Sequence, residues 1–326
     1  MVNAYVINAY GGTDAMSWEQ VDVPSPGSGE IKVRQHAAGL NFIDVYIRTG
    51  AYPQPELPFI LGMEGAGEVV EVGGGVTDVS VGDRIAYAGA IGGYAEERLL
   101  PADRAMKLPD NITYEAAAAM SLQGLTAWFL LHKTYKVTAE SKILVHAAAG
   151  GVGLLLCQWA NHIGATVIGT AGSDAKTELA KAHGATHVIN YETENFEDRV
   201  SELTDGGGVD VVYDAVGKAF MEGTLKSLRP MGLWALFGAA SGPISDFNLG
   251  LLMQHGSLFV TRPSLFHYCA KKEDLAEGAE ALFKVVGDGV LKVNINQTYP
   301  LVDAPQAHQD LEARKTTGST IFNISA

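Results

Sequence analysis

The chain reads as an α/β protein, a doubly wound parallel sheet joined to a second, β-rich domain. Three observations predict this. Lys142 to Thr170 has the pattern of strand, turn, helix and strand, a unit of about 30 residues, which is the size of a βαβ crossover. Beyond it, helix and strand patterns keep alternating, as in a parallel sheet covered on both faces. Before it, short strands follow one another between glycine and proline turns, the texture of a partly closed barrel.

Within the crossover unit, Ile143, Leu144 and Val145 form an apolar, β-prone run that predicts a buried strand. The chain then bends through Ala147-Ala148-Ala149-Gly150-Gly151-Val152-Gly153. Val152, Leu155, Leu156, Trp159 and Ile163 follow at helical spacing, Gly164 stops that helix, and Thr166 to Ile168 start the next strand. Small residues at Ala147, Gly150 and Gly153 let backbone approach a ligand. The helix then turns its orphan N–H groups and positive dipole end toward it, which suits a pyrophosphate. The spacing is A-x-x-G-x-x-G, so an ordinary glycine-rich turn is the alternative, and placement between strand and helix is what favours the phosphate.

Up to about Met120 the predicted strands are Val2 to Tyr10, Ile31 to Ala38, Gly67 to Val72, Arg84 to Ala88 and Tyr94 to Leu99, with one helix at Asn41 to Arg48. A helical, alanine-rich segment starts near Asn111 to Glu115. After the crossover unit come a helix ending at His183-Gly184, strands at His187 to Ile189 and Val209 to Tyr213, a helix near Phe220 to Leu228, and strands at Leu233 to Phe237 and Ser257 to Thr261. The tail predicts a helix over Lys272 to Val286, a strand at Val290 to Ile295, a helix at Ala304 to Arg314 and a strand at Ser319 to Ile324, too little for a third domain.

Composition sets the class. At 326 residues the chain exceeds one typical core, and 47% hydrophobic with 18% charged residues is globular composition. A net charge of −14 argues against a nucleic-acid surface. The two cysteines, Cys157 and Cys269, suit a reducing compartment and make no disulfide framework. No secretory signal is read at the N-terminus, and the apolar stretch Ala116 to Leu131 is interrupted by Ser121, Gln123 and Gly124. The expectation is a cytoplasmic protein with no membrane span.

A dinucleotide fold usually carries an acidic residue about 20 positions past the glycine motif for the ribose 2′-hydroxyl. Here the strand tip reads Gly172-Ser173-Asp174-Ala175-Lys176: room, a donor and a positive charge, which favours NADP(H) over NAD(H). The alternative is that Ser173 only caps the next helix and Lys176 is solvated. Asp174 is discordant unless its carboxylate points to solvent. Asn41-Phe42-Ile43-Asp44 has the form of a capping box; Asn41 either ends its role there or also faces nicotinamide or substrate, with Tyr46 and Tyr52 lining a pocket. A phenol can donate to a developing oxyanion. No metal-ligand spacing and no nucleophile elbow is present, which leaves hydride transfer from a bound cofactor as the simplest chemistry.

The chain resembles the zinc-free, zeta-crystallin-like quinone oxidoreductases of the medium-chain dehydrogenase/reductase superfamily, bacterial NADPH-dependent type, over essentially its whole length. The stretches that carry the resemblance are Ala38 to Asp44, Gly62 to Gly67, Val145 to Gly153, Val211 to Asp214 and Val260 to Ser264. The zinc-dependent alcohol dehydrogenases of that superfamily have a ligand Cys where Asn41 stands and a His-Glu pair where Met63-Glu64 stands. The resemblance implies a GroES-like β-barrel catalytic domain split between residues 1–120 and a return segment, 266–326, around a Rossmann NADPH-binding domain, 121–265. It implies that NADPH lies between the two domains. Asn41 and Tyr46 would be near the nicotinamide and Phe129 along the cofactor, at a position where relatives often have Tyr. Gly150, Gly151 and Val152 would take the pyrophosphate, with Gly172, Ser173, Lys176 and Tyr191 around the 2′-phosphate. Val216, Phe237, Gly238, Ser241 and Thr261 would contact the nicotinamide side, and Arg314 the cofactor from the tail. The implied activity is reduction of a quinone by hydride or electron transfer, with Asn41, Tyr46 and Tyr52 as catalytic candidates and no metal. The implied assembly is a homodimer joined through edge strands, for which Ser257 to Thr261 is a candidate. Reduction of an activated C=C bond (an alkenal or enone reductase) and a non-catalytic NADPH-binding role are the alternatives.

Overall fold

Apolar residues alternate or run continuously where the chain forms sheet, and they recur at helical spacing where it coils. The outcome, a computed structural model, describes residues 1–324. Besides five short 3₁₀ or π segments, sixteen strands and ten α-helices are described. In order these are β1 (Val2–Ile7), β2 (Met16–Val21), β3 (Glu30–Leu40), α1 (Phe42–Arg48), β4 (Phe59–Ile60), β5 (Glu64–Val72), β6 (Arg84–Ala88), β7 (Glu97–Pro101), β8 (Met106–Lys107) and α2 (Tyr114–Phe129). There follow β9 (Lys142–Val145), α3 (Gly151–Ile163), β10 (Thr166–Ala171), α4 (Asp174–Ala182), β11 (His187–Asn190), α5 (Phe196–Leu203), β12 (Val209–Asp214), α6 (Met221–Ser227) and β13 (Leu228–Leu236). The last are α7 (Gly250–Gln254), β14 (Phe259–Thr261), α8 (Leu265–Tyr268), α9 (Lys272–Gly287), β15 (Ile295–Pro300), α10 (Ala304–Glu312) and β16 (Ser319–Asn323).

The chain divides into two compact units. The first holds Met1–Leu125, Cys269–Gly287 and the residues from Val293 onward; the second holds Thr126–Tyr268 and Asp288–Lys292. In the first unit β3 is the organising strand. Eight of its eleven residues are buried, and it pairs antiparallel with β5, β7 and the last described strand, β16, where Phe322 lies opposite Ala38. A three-stranded sheet, β2-β1-β4, completes the β-structure of this unit. Tyr5, Ile7, Leu40, Ile47, Leu61, Tyr94 and Phe322 form one of its cores.

The second unit is a six-stranded sheet in the order β11-β10-β9-β12-β13-β14, every neighbouring pair parallel. This is the doubly wound sheet that the alternation predicts. Ile143, Leu144 and Val145 are fully buried in its centre, and α3 ends where Gly164 takes a φ of 98° as predicted. Leu144, Ile168, Val212, Leu225 and Trp234 are buried in its core cluster. β14 is an edge strand, as the sequence suggests.

Two expectations shift. The strand predicted at Val290 to Ile295 forms instead at Ile295–Pro300, pairing with β16. The start of the predicted span is used otherwise: Leu291 is buried, and next to it the Lys292 N–H donates to Gln158 Oε1 at 2.8 Å within the second unit. The strand predicted at Tyr94 to Leu99 pairs with β3 only from Glu97, because Tyr94 N–H and C=O are used by Leu61 and Tyr5. Strand β2 and helix α5 have no counterpart among the predicted elements. β2 buries only its first residue, and α5 buries only Val200 although Phe196, Val200 and Leu203 fall at helical spacing, so neither is carried by a run of buried apolar residues. Among the described residues no helix is long and apolar enough to cross a membrane.

Candidate functional site

The six strands of the second unit run one way, so their carboxyl ends form a single edge. Every residue predicted to contact the cofactor in this unit, Phe129 excepted, lies at or just past one of those ends. Gly150, Gly151 and Val152 follow β9, while Gly172, Ser173 and Lys176 follow β10. Tyr191 follows β11, Val216 follows β12, and Phe237, Gly238 and Ser241 follow β13. Thr261 is the last residue of β14. Open parallel sheets bind ligands outside the carboxyl ends where the strand order reverses, here between β9 and β12.

The bend after β9 is held from both sides. His146 N–H donates to the Tyr213 carbonyl and Ala148 N–H to the Thr170 carbonyl, each at 3.0 Å. Ala147, exposed between them, takes a left-handed φ of 54°, a conformation costly for a residue with a Cβ. Gly150 caps α3 with no side chain to accept its first-turn N–H groups. A Cβ on Gly153 would overlap the Ala147 carbonyl oxygen, so the close return of helix onto bend needs glycine. A 13-residue helix with an uncapped amino end and small residues around it fits a pyrophosphate. Beneath the bend, the buried His146 ring spans Thr170 Oγ1 (3.0 Å) and Thr224 Oγ1 (2.9 Å), and its burial pushes its pKa down, keeping it neutral.

At the tip of β10, the Tyr191 hydroxyl occupies the place a Cβ on Gly172 would take. Ser173 caps α4, its Oγ accepting Lys176 N–H at 3.4 Å. Asp174 is exposed, yet its carboxylate does not simply point to solvent: Oδ1 accepts a hydrogen bond from Asn190 Nδ2 at 2.8 Å. At the tips of β12 and β13, Ser241 Oγ donates to the Val216 carbonyl at 2.7 Å and accepts Ala219 N–H at 2.9 Å. The buried Asp214 braces this turn, accepting Val216 and Gly217 N–H through Oδ1 and Trp234 Nε1–H through Oδ2. A Cβ on Gly238 would overlap Ala215 backbone, so a close approach explains that glycine too. Phe129 stands apart from the group. It is 1% exposed, and its ring stacks on Tyr268 with centroids 4.5 Å apart and planes 9° from parallel.

In the first unit Asn41 caps α1 in the capping-box arrangement, Asp44 Oδ2 accepting Asn41 N–H at 2.8 Å. Its side chain has further work. Asn41 Nδ2 donates to Glu64 Oε2 at 2.7 Å, and Asn41 Oδ1 accepts from Gln123 Nε2 at 3.1 Å. Gln123 Oε1 in turn accepts from Ser319 Oγ at 2.7 Å, and Glu64 Oε1 accepts Leu122 N–H at 2.7 Å. A second chain of contacts leads from Asp44 through Tyr94 to His308, Arg48 and Glu312. Burial pushes the Glu64 carboxyl up to about 8 and Asp44 up to about 7; it pushes His308 down to about 3, helped by Arg48. Tyr46 is half-buried and Tyr52 is 41% exposed, and their rings meet with centroids 5.1 Å apart. Arg314 is exposed just past α10 with a left-handed φ of 59°.

Glu64, Gln123 and Ser319 escape sequence reasoning because they are 23, 82 and 196 positions from the residues they bond. A carboxylate among glycines in Gly62-Met63-Glu64-Gly65, and a polar pair breaking an alanine-rich helix, were the available signals. The Asn41-Met63-Glu64 corner does not fit zinc. Its donors are an amide, a thioether and one carboxylate whose two oxygens already accept hydrogen bonds. Among the described residues no group of three or more His, Cys, Asp or Glu is placed to hold a metal ion.

Comparison with known proteins adds relatives. The family model described as alcohol dehydrogenase GroES-like domain matches residues 27–110, and that described as zinc-binding dehydrogenase matches residues 151–289. The chain is 49% identical to a quinone oxidoreductase of Pseudomonas aeruginosa, covering 96% of this chain and 97% of that protein. It is 43% identical to a 2-haloacrylate reductase of a Burkholderia species, covering 99% of each. The crystal structure of the Escherichia coli quinone oxidoreductase complexed with NADPH superposes with a TM-score of 0.97, at 45% identity over 98% of this chain and 99% of that one.

Proposed function

The chain belongs to the quinone oxidoreductases of the medium-chain dehydrogenase/reductase superfamily, and from that membership we propose that it reduces quinones with NADPH and without a metal ion. The observation that carries this beyond kinship is the uncapped amino end of α3 behind the Ala147 to Val152 bend, set on the carboxyl edge of the parallel sheet. Bound there, NADPH supplies the hydride, and a quinone that also takes up one proton leaves as hydroquinone.

The chain's own residues bind and orient. In the second unit, Gly151 and Val152 would hold the pyrophosphate with backbone N–H groups, beside Gly150, whose own N–H donates to the Ala147 carbonyl at 2.9 Å and which leaves room for the ligand. Gly172, Ser173, Lys176 and Tyr191 receive the 2′-phosphate. Val216, Phe237, Gly238, Ser241 and Thr261 line the nicotinamide side, on a turn that Asp214 keeps rigid. In the first unit we assign Asn41 to the nicotinamide; its amide is held by Glu64 and Gln123, and its Nδ2 carries a second N–H beyond the one given to Glu64. Tyr46 and Tyr52 line the acceptor side, and the half-buried Tyr46 phenol donates to the carbonyl oxygen as negative charge develops on it. Arg314 adds a cation for the cofactor. Phe129 supports the cofactor side indirectly, through its stack on Tyr268.

Steady-state turnover with NADPH and a panel of quinones tests the activity, with spin resonance to detect semiquinone and so separate hydride from single-electron transfer. No NADPH oxidation with any quinone retires the proposal. Michaelis constants for NADPH and NADH in the wild type and in Lys176→Ala test the cofactor assignment; a wild type indifferent to the 2′-phosphate sinks it. The likeness to the 2-haloacrylate reductase supports a second reading, reduction of an activated C=C bond, and kcat/KM for quinones against 2-alkenals separates the two.

We also propose a homodimer joined through β14. That edge strand exposes Phe259 (61%) and Val260, and Met231, Leu249 and Met253 are exposed in the same unit. Sedimentation velocity tests it. The low cysteine count supports a cytoplasmic location.

A further inference from the structure

We infer that Asn190 is a specificity-determining positioning residue: it draws the Asp174 carboxylate aside, so that the tip of β10 accepts a 2′-phosphate although an acidic residue stands in its sequence. The inference rests on the NADPH assignment above and concerns the same site.

Gly172, Ser173, Asp174 and Lys176 leave β10 consecutively or nearly so, and Tyr191 closes over Gly172 from the end of β11. A carboxylate at that tip repels a dianionic phosphate. Asn190 is the last residue of β11, the neighbour of β10, and Ala171 lies opposite it in the parallel register. It is 8% exposed, and both ends of its amide are committed. Oδ1 accepts Glu192 N–H at 3.2 Å, and Nδ2 donates to Asp174 Oδ1 at 2.8 Å. The backbone N–H fixes which end of the amide is the acceptor, so the donor end must face Asp174 and holds its carboxylate toward the end of β11. Ser173 adds a second constraint: by capping α4 through Lys176 N–H it fixes the first turn, on which Asp174 and Lys176 ride. Asn190 therefore acts through Asp174, and nothing in the inference requires it to touch the cofactor.

Calorimetry on the full chain with adenosine 2′,5′-bisphosphate and with 5′-AMP isolates the phosphate from turnover. The wild type is expected to prefer the bisphosphate. Asn190→Ala should weaken the bisphosphate about fivefold, the size of one like-charge contact in water, and leave 5′-AMP within about twofold. The double variant Asn190→Ala with Asp174→Asn should regain wild-type affinity for the bisphosphate. Equal weakening of both ligands, or no recovery in the double variant, overturns the inference and leaves Asn190 as loop support. Asp174→Asn alone is a second check that keeps the loop amide intact. Affinity within about twofold of wild type supports a carboxylate already turned aside, whereas a gain of about fivefold or more shows it repelling phosphate in the native chain and overturns the inference. A wild type with no preference for the bisphosphate defeats the NADPH assignment itself, and the inference with it.

Discussion

Asn41 Nδ2 donates to Glu64 Oε2 at 2.7 Å, joining the cap of α1 to the first residue of β5 with both side chains buried. Glu64 sits in one of the least hydrated places in the first unit, and its titration bears on the stability of that unit. Burial pushes it up to about 8 and Asp44 up to about 7, against about 4 for a carboxyl in an unfolded chain. The folded chain thus keeps protons that the unfolded chain has lost, and stability falls as pH rises through that window. His308, pushed down to about 3, has the opposite effect and acts below about pH 6.5, where the unfolded imidazole takes up its proton. From pH 6.5 to 8 the carboxyls dominate. Calorimetry over that interval should show Tm declining in the wild type and a much shallower decline in Glu64→Gln; a flat wild-type profile contradicts the assignment.

Gly153→Ala should destabilise the second unit by about 2–3 kcal/mol, because the added methyl meets a backbone carbonyl that cannot swing away. Denaturant titration reads this directly. A variant as stable as wild type means the bend can relax, and the tight contact between α3 and Ala147 is not a requirement of the fold.

Tyr46→Phe should lower kcat/KM for quinone about a hundredfold, the usual cost of removing one donor to a developing oxyanion. NADPH affinity should change little, because the ring assigned to the nicotinamide side is kept. Tyr52→Phe should cost far less, since that ring is 41% exposed and a hydrogen bond in water is worth little. If the two variants behave alike, the donor is not Tyr46.

Neither cysteine should react in the native protein. Burial pushes the Cys157 thiol up to about 12 and is the main cause raising Cys269 to about 11, so thiolate is scarce at pH 8 and both sulfurs are screened. Mass spectrometry after iodoacetamide should find no label without denaturant and two labels with it. Rapid native labelling of Cys157 would mean that α3 opens readily.

Local physics made some features readable in advance. Strand β9, the glycines of the bend after it and the Gly164 stop show in near neighbours, so propensity and glycine chemistry predict them, although the Tyr213 and Thr170 carbonyls are what hold the bend in place. The shift of the last part of the chain was not readable. Val290 and Leu291 look like strand residues, but Leu291 is buried and the backbone of the next residue, Lys292, is hydrogen-bonded to the Gln158 side chain, a partner 134 positions away.

The sequence by itself determined the parallel sheet, its glycine bend, and the small and cationic residues at the tip of β10, because periodicity and turn chemistry act between near neighbours. Tertiary structure alone decided where the polar side chains spend their hydrogen bonds. Asn41 meets Glu64 and Gln123, and Asp174 meets Asn190, only after distant strands and helices have packed. Burial then sets the charge of those groups through the loss of water, a quantity that no stretch of sequence carries on its own.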